Sequence, residues 1–423
     1  MFTTSFSTAL SALNATSTAI DVVGNNLANL NTPGFKTSAV EFRDLVTQSL
    51  GAGLGDTQVG FGTGTPLTVR QFTQGSIQPS SGLLDAAIQG DGFFVLQDSQ
   101  GHTSYTRAGD FQVDKSGNLL TGNGDFVQGW TAVDATTGTL NTSGPVSNIT
   151  VPVGSVKAPV ATTDLTVDLN LNSAAAADAT SDFTTPITVY DSLGTSHVLT
   201  LDFQKTGTNT WSYQVYVPGQ DVSGGTAGTP FAVSGASGSL TFGTNGQLTS
   251  PASGSPITFQ IPGLSDGAAD LSLSWNPYTS AGVGRITQFG QDSAPSASSQ
   301  NGSPAAQLSH IALADGGKVM AQYTDGTEVV VGQVALASIP NPDTLVAAGN
   351  NNFQVSDRTA TPSVGVPGTG GRGTIAGSAI EASTVDIATE FTNLIVYQRG
   401  YEANSKVVTT ADTLSQDTIN LIR

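Results

Sequence analysis

The 423-residue sequence predicts a multidomain chain. N- and C-terminal α-helices pair in a coiled-coil-like domain, and two mainly-β domains lie between them, one inserted into the other. Three observations carry this prediction. Apolar residues recur at helical spacing only near the two ends. The middle alternates apolar and polar residues about Gly-containing turns. Low-complexity segments bracket a central block of strands, as expected where one domain interrupts another.

The N-terminal helix is read from Phe2, Phe6, Ala9, Leu13, Thr16, Ile20, Val23, Leu27 and Leu30, which recur at alternating steps of four and three. This is a heptad seam with one polar member, Thr16. Residues 1–30 hold a single charged side chain, Asp21, and the face away from the seam is Ser, Thr, Asn and Ala. A solvent-facing helix ordinarily carries Lys and Glu there. A small neutral face instead fits close packing against further helices, or the lining of a narrow wet channel. An interfacial membrane helix would need Lys and Arg on that face.

The helix is expected to stop within "NNLANLNTPGFK", Asn25 to Lys36. Asn25, Asn26 and Asn29 weaken it, and Thr32-Pro33-Gly34 cannot continue it, because Pro lacks an N–H and Gly favours a turn. Phe35 and Lys36, the first lysine of the chain, then open a connector.

The segment 91–130 reads as short strands broken by Ser-Gln-Gly, Lys-Ser-Gly and Gly-Asn-Gly turns. "TPITVYDSLGTSHVLTLDF" (184–203) reads as a hairpin about a Ser-Leu-Gly turn, and 210–219 as a further strand. Residues 318–339 give a two-strand pattern about Asp325-Gly326. The linkers are 51–66, 172–182, 291–304 and 365–373. From 131 to 300 there are eleven acidic and three basic residues, so this block carries much of the excess negative charge on a solvated face.

At the C-terminus Ile387, Phe391, Leu394, Tyr401 and Val408 form a second stripe. It continues through Ala411, Leu414, Thr418 and Leu421, with Ile419 and Ile422 widening the face. Ser383 and Thr384 are expected as caps, with Asp386 in the first turn where its charge suits the helix dipole. Alone, such a helix pair buries too little apolar surface to offset the entropy of ordering it, so it needs neighbours.

Several functions are excluded. A net charge of −18 repels a phosphate backbone, which rules out nucleic-acid binding. The chain has no Cys, hence no disulfide, thiolate nucleophile or cysteine metal site. It offers no basic n-region of a conventional secretory signal and no uninterrupted apolar run long enough to insert in a membrane.

No catalytic, metal or cofactor constellation assembles either. His102, His197 and His310 fall in separate strand-like segments without helical ligand spacing, and read as strand or surface histidines. Asp110 and Asp114 before Gly117-Asn118 fit a β-turn better than a calcium loop, which would need a terminal Glu and flanking helices. The Gly51-Ala-Gly53-Leu-Gly55 and Gly60-Phe-Gly62-Thr-Gly64 spacings do not sit between a strand and a helix. Trp130, Trp211 and Trp275 are expected in cores rather than as sugar-binding platforms.

Four quoted segments carry a resemblance. "NNLANLNTPGFK" resembles the signature of the flagellar axial proteins, the family of rod, hook and hook-associated components. "AIQGDGFFVLQD" (87–98) with "YTRAGDFQVDKSGNLLTGNGDFVQGW" (105–130) is similar to their first β domain, and 377–414 to their C-terminal helix segment. Residues 187–213 resemble the outer domain of hook-type members, which the shorter distal rod proteins lack. The resemblance spans most of the chain.

It implies a radial plan: 1–24 with 384–423 as an inner helical layer about an export channel, and 25–70 as a connecting arm. Residues 71–145 with 301–383 would be an inner β domain and 146–300 an outer one. It further implies a helical homopolymer, a curved hollow tube that passes torque through a flexible joint. Implied partners are rod and junction proteins, a cap and the flagellar type III export apparatus, through which members leave unfolded. Another axial component or a secreted β-rich adhesin remains an alternative.

Overall fold

The computed structural model describes residues 2–45, 47–49, 58–131, 139–178 and 182–421. Gly51, Gly53, Gly55 and Ile422 lie outside the described residues, and so do the side chains of Phe2, Ile419 and Leu421. Two terminal helices accompany a large β-rich body. The chain divides into two compact units, one of 1–153, 310–322 and 328–423, the other of 154–309 and 323–327.

In the first unit, α1 spans Phe2–Ala28. Thr16 and Thr18 turn their hydroxyls back on carbonyls one turn earlier, Thr16 donating to Ala12 O at 2.7 Å and Thr18 to Asn14 O at 3.1 Å. Helical bonding unravels through single turns, with Asn29 N on Asn26 O and Thr32 N on Asn29 O. Gly34 then adopts φ 67°. A Cβ there would lie 2.5 Å from the Arg107 backbone, so the position admits only glycine.

The long helix α2 spans Ile387–Leu421. Its cap differs from the expectation. Asp386 accepts the Thr389 amide at 2.8 Å and fills the cap position itself. The Thr384 hydroxyl is engaged elsewhere, on the Thr37 amide at 2.9 Å.

The β portion of this unit is a mixed array of short strands. One ladder runs through Lys318–Tyr323, Glu328–Val334, Phe126–Trp130, Phe93–Gln97, Thr103–Thr106, Asn352–Gln354 and Val346–Gly349. Ile88, Phe94, Leu96, Leu119, Val127, Ile149, Val319 and Val334 form its main core. Ala379–Glu381 pairs antiparallel with Ile77–Pro79, bringing the segment before α2 onto the connector side of the fold.

The second unit holds two five-stranded sheets. One is a meander, Phe183–Tyr190, Ser196–Gly207, Thr210–Pro218, Pro230–Phe242 and Leu248–Ser250, paired in chain order. The other is built around Asp164–Asn172. Alternation is complete in Asp164–Asn172 and Thr210–Pro218, and the apolar residues of both sheets turn to one shared core. Trp211 and Trp275 are fully buried in it, and Trp130 is buried in the other unit. The Ser-Leu-Gly turn at 192–194 and the Asp325-Gly326 turn both join paired strands, with Gly194 at φ 87° and Gly326 at φ 80°.

Candidate functional site

The residues of the Asn25–Lys36 stretch converge where α1 ends, the connector begins and α2 starts. Asn26 is buried and uses both ends of its amide. Its Oδ1 accepts the Ser38 amide at 3.0 Å; its Nδ2 donates to Ser38 O at 2.8 Å and to Glu390 Oε1 at 3.1 Å. One side chain thus ties helix, connector and α2 together.

Ten residues on, Lys36 is fully buried and donates to Glu381 Oε1 and to Thr73 O, both at 2.6 Å. The same carboxylate accepts the Gly75 amide at 2.7 Å and faces Arg107 Nη1 at 3.4 Å. Gly34 N donates to the Glu381 carbonyl at 2.7 Å. Burial pulls the Lys36 ammonium below its ordinary value although Glu381 opposes this, and burial likewise lowers Arg107. Two cations share one buried anion, so removing Glu381 strands both. Phe35 is buried near Arg70, whose guanidinium also lies 5.1 Å from the Phe353 ring.

Asn25, Asn29, Thr32 and Pro33 make a different surface. Asn29 donates to Asn25 O at 2.9 Å, Thr32 to Asn29 Oδ1 at 3.1 Å, and Asn351 to Pro33 O at 2.9 Å. With Asn123 and Asn350 they line a polar cleft of 460 Å³.

The two helices pack antiparallel: Asn26 meets Glu390, and Thr16 faces Gly400, where an added Cβ would lie 3.7 Å from its methyl. The seam differs from the sequence expectation. Among the described side chains of α1 the enclosed ones are Ala9, Ala15, Ala19, Val23 and Asn26: Ala9 and Val23 belong to the predicted stripe, and the other three each precede a predicted position by one residue. Leu13, Ile20, Leu27 and Leu30 are half-buried, and Phe6 is 42% exposed. On α2, Leu394 and Val408 are half-buried, whereas Ile387, Phe391, Tyr401 and Leu414 are exposed, Phe391 at 52%. Small side chains permit close approach, so the helices meet along Ala and Gly and the large apolar groups turn outward.

The site offers clamps, not a reacting group. Elsewhere, His102 is exposed beside Asp98, and His310 is exposed. His197 lies in the strand Ser196–Gly207, within the strand reading, but its ring is buried between Asp221 Oδ2, 3.0 Å from Nδ1, and Asp191 Oδ2, 3.1 Å from Nε2, which the sequence did not indicate. Burial pulls its pKa down, but the two carboxylates outweigh this and the net shift is upward. Asp191 is held down to about 2: burial would raise it, and bonds to Asp266, His197 and two backbone amides prevail. Asp114 accepts the Ser116 and Asn118 amides in a closed turn, as the β-turn reading expects.

Comparison with known proteins covers nearly the whole chain. Residues 6–36 match the flagella basal body rod protein model and 87–170 the D1 domain of flagellar hook protein FlgE/F/G. Residues 161–303 match the D2 domain of flagellar basal body protein FlaE, and 376–421 the C-terminal domain of the FlgEFG basal body rod proteins. Flagellar hook protein FlgE of Escherichia coli K12 is 32% identical, over 98% of this chain and 99% of that one. The protein of the same name from Treponema pallidum is also 32% identical, over 96% of both chains. The crystal structure of Helicobacter pylori flagellar hook protein FlgE2 is similar in fold, with TM-score 0.51 and 15% identity, over 71% of this chain and 99% of that chain.

Proposed function

The chain belongs to the flagellar hook protein family and is a structural subunit of the bacterial flagellar hook, and from that premise we propose how it assembles. Copies polymerise head to tail into a curved hollow tube that works as a universal joint between rod and filament. Heterologous contacts that do not close generate such an open helix.

The observation that carries this reading is the apolar surface both helices leave exposed, Phe6, Ile387, Phe391, Tyr401 and Leu414 among it. Neighbouring copies bury it. Residues 1–24 with 384–423 form the coiled-coil-like inner layer, and 25–70 the arm. The inner β domain is 71–145 with 301–383, and the inserted outer domain is 146–300. No helix among the described residues is long and apolar enough to cross a membrane. Export proceeds through the type III apparatus. The rod and junction proteins and the hook cap are the further partners.

Contacts between β domains rich in Ser, Thr and Asn and poor in ion pairs slide as the tube turns, because no strong pair holds one register. Cross-linking the outer domains should then stiffen the hook; unchanged bending would refute the sliding mechanism. The assembly reading is tested by circular dichroism and limited proteolysis of monomer and polymer. The helical ends should be cleaved in the monomer and protected in the polymer, and equal protection in both would overturn it.

A further inference from the structure

The junction holds a carboxylate oxygen with nothing to bond. Glu390 is 5% exposed. Its Oε1 accepts from Asn26, but its Oε2 is buried without a hydrogen-bond partner. Buried acceptors are almost always satisfied, so an orphan of this kind marks a missing donor. Glu390 lines a cleft of 320 Å³ together with Val22, Thr37, Gln71, Asp386, Asn393 and Tyr397. Two carboxylates and no Lys, Arg or His line it. Burial pushes the Glu390 carboxyl up, Asn26 opposes this and the Asp386 charge adds to it.

The chemistry that completes such a cleft is a cation with directed N–H groups. Along α2 the only basic side chains are Arg399 and Lys406. Arg399 is exposed and in no ion pair among the described residues. It follows Glu390 by nine residues, which places it about 180° round the helix and about 14 Å along it. It therefore points away from the Glu390 of its own chain. A planar guanidinium suits a buried carboxylate better than an ammonium does.

We propose that the cleft beside Glu390 is a socket completed by a second copy of this chain, whose Arg399 inserts and donates to Glu390 Oε2 with Asp386 at the mouth. This rests on the polymer reading and deepens it. Socket and plug on opposite sides of one helix form a heterologous contact, which propagates from copy to copy without closing.

The test is a charge exchange on the full chain, read by sedimentation of polymer against protein concentration. E390K and R399E alone should each raise the critical concentration about tenfold or more, the size of effect expected for a broken interfacial ion pair. An equimolar mixture of the two should return it to within about twofold of the unaltered chain, since each altered socket then meets an altered plug. E390Q, which keeps the side-chain volume, should weaken assembly without changing the melting of the monomer. Normal assembly of R399E would overturn the proposal, and so would an unrescued mixture, or rescue of E390K by K406E instead. If the unaltered chain does not polymerise under any of these conditions, the polymer reading itself falls and the socket with it.

Discussion

The unit of residues 154–309 and 323–327 and the helical ends treat their apolar residues in opposite ways. In the strand Thr210–Pro218 every second residue is buried, and both tryptophans of that unit are enclosed. On α2 most large apolar side chains face solvent, while the contacts with α1 include the Asn26–Glu390 hydrogen bond and the approach of Thr16 to Gly400. The first arrangement satisfies itself within one chain. The second is left incomplete, and the proposed polymer is what would cover it.

Four measurements break or sharpen that contrast. The largest effect is expected from Phe391→Asp or Leu394→Asp, which should abolish polymerisation and leave the near-UV dichroism of the monomer unchanged. A variant that still polymerised would show these residues idle in assembly. Next, Trp211→Ala should destabilise its unit by about 3–5 kcal/mol in urea melts, since a large buried ring is lost. Loss of helix signal in the same variant, before that unit melts, would dissolve the contrast.

Glu381→Ala should cost about 3–5 kcal/mol in the other unit, because Lys36 and Arg107 remain buried without their anion. A double replacement, Lys36→Met with Glu381→Leu, should cost less than Glu381→Ala, as a cycle of melts would reveal.

The smallest effect is the pH response of His197. Its folded pKa is raised, so the stabilisation is fully present below the unfolded value near 6.5 and fades as pH rises through the folded value. Asp191 acts in the reverse sense, its contribution present above about 3.8 and lost as pH falls toward about 2. His197→Gln should remove the loss above neutrality. Melting temperatures from pH 5 to 9 that fall equally in both proteins would refute the assignment.

Much of the β body was legible in the sequence because its cause is local. Alternation of apolar and polar residues places a strand, and Asp191-Ser-Leu-Gly or Asp325-Gly places its turn. The end of α1 was legible for the same reason, since Pro33 and Gly34 act on their own backbone. The seam was not. Counting large apolar residues finds an apolar face, but which stripe of a helix meets its neighbour depends on how closely the backbones approach, and here Ala15, Ala19 and Gly400 set that distance. The Asp386 cap was missed because Thr384 is drawn away by a residue 347 positions earlier.

By itself, then, the sequence determined where helices, hairpins and turns fall, that charge is scarce on the N-terminal helix, and the family those segments resemble. Only the tertiary structure decided that Lys36 meets Glu381, that His197 lies between two aspartates, and that one oxygen of Glu390 is left without a partner. The division has a physical origin. Backbone conformation and amphipathic period are set by neighbours within a few residues, whereas pairing of buried charges depends on which distant segments folding brings together.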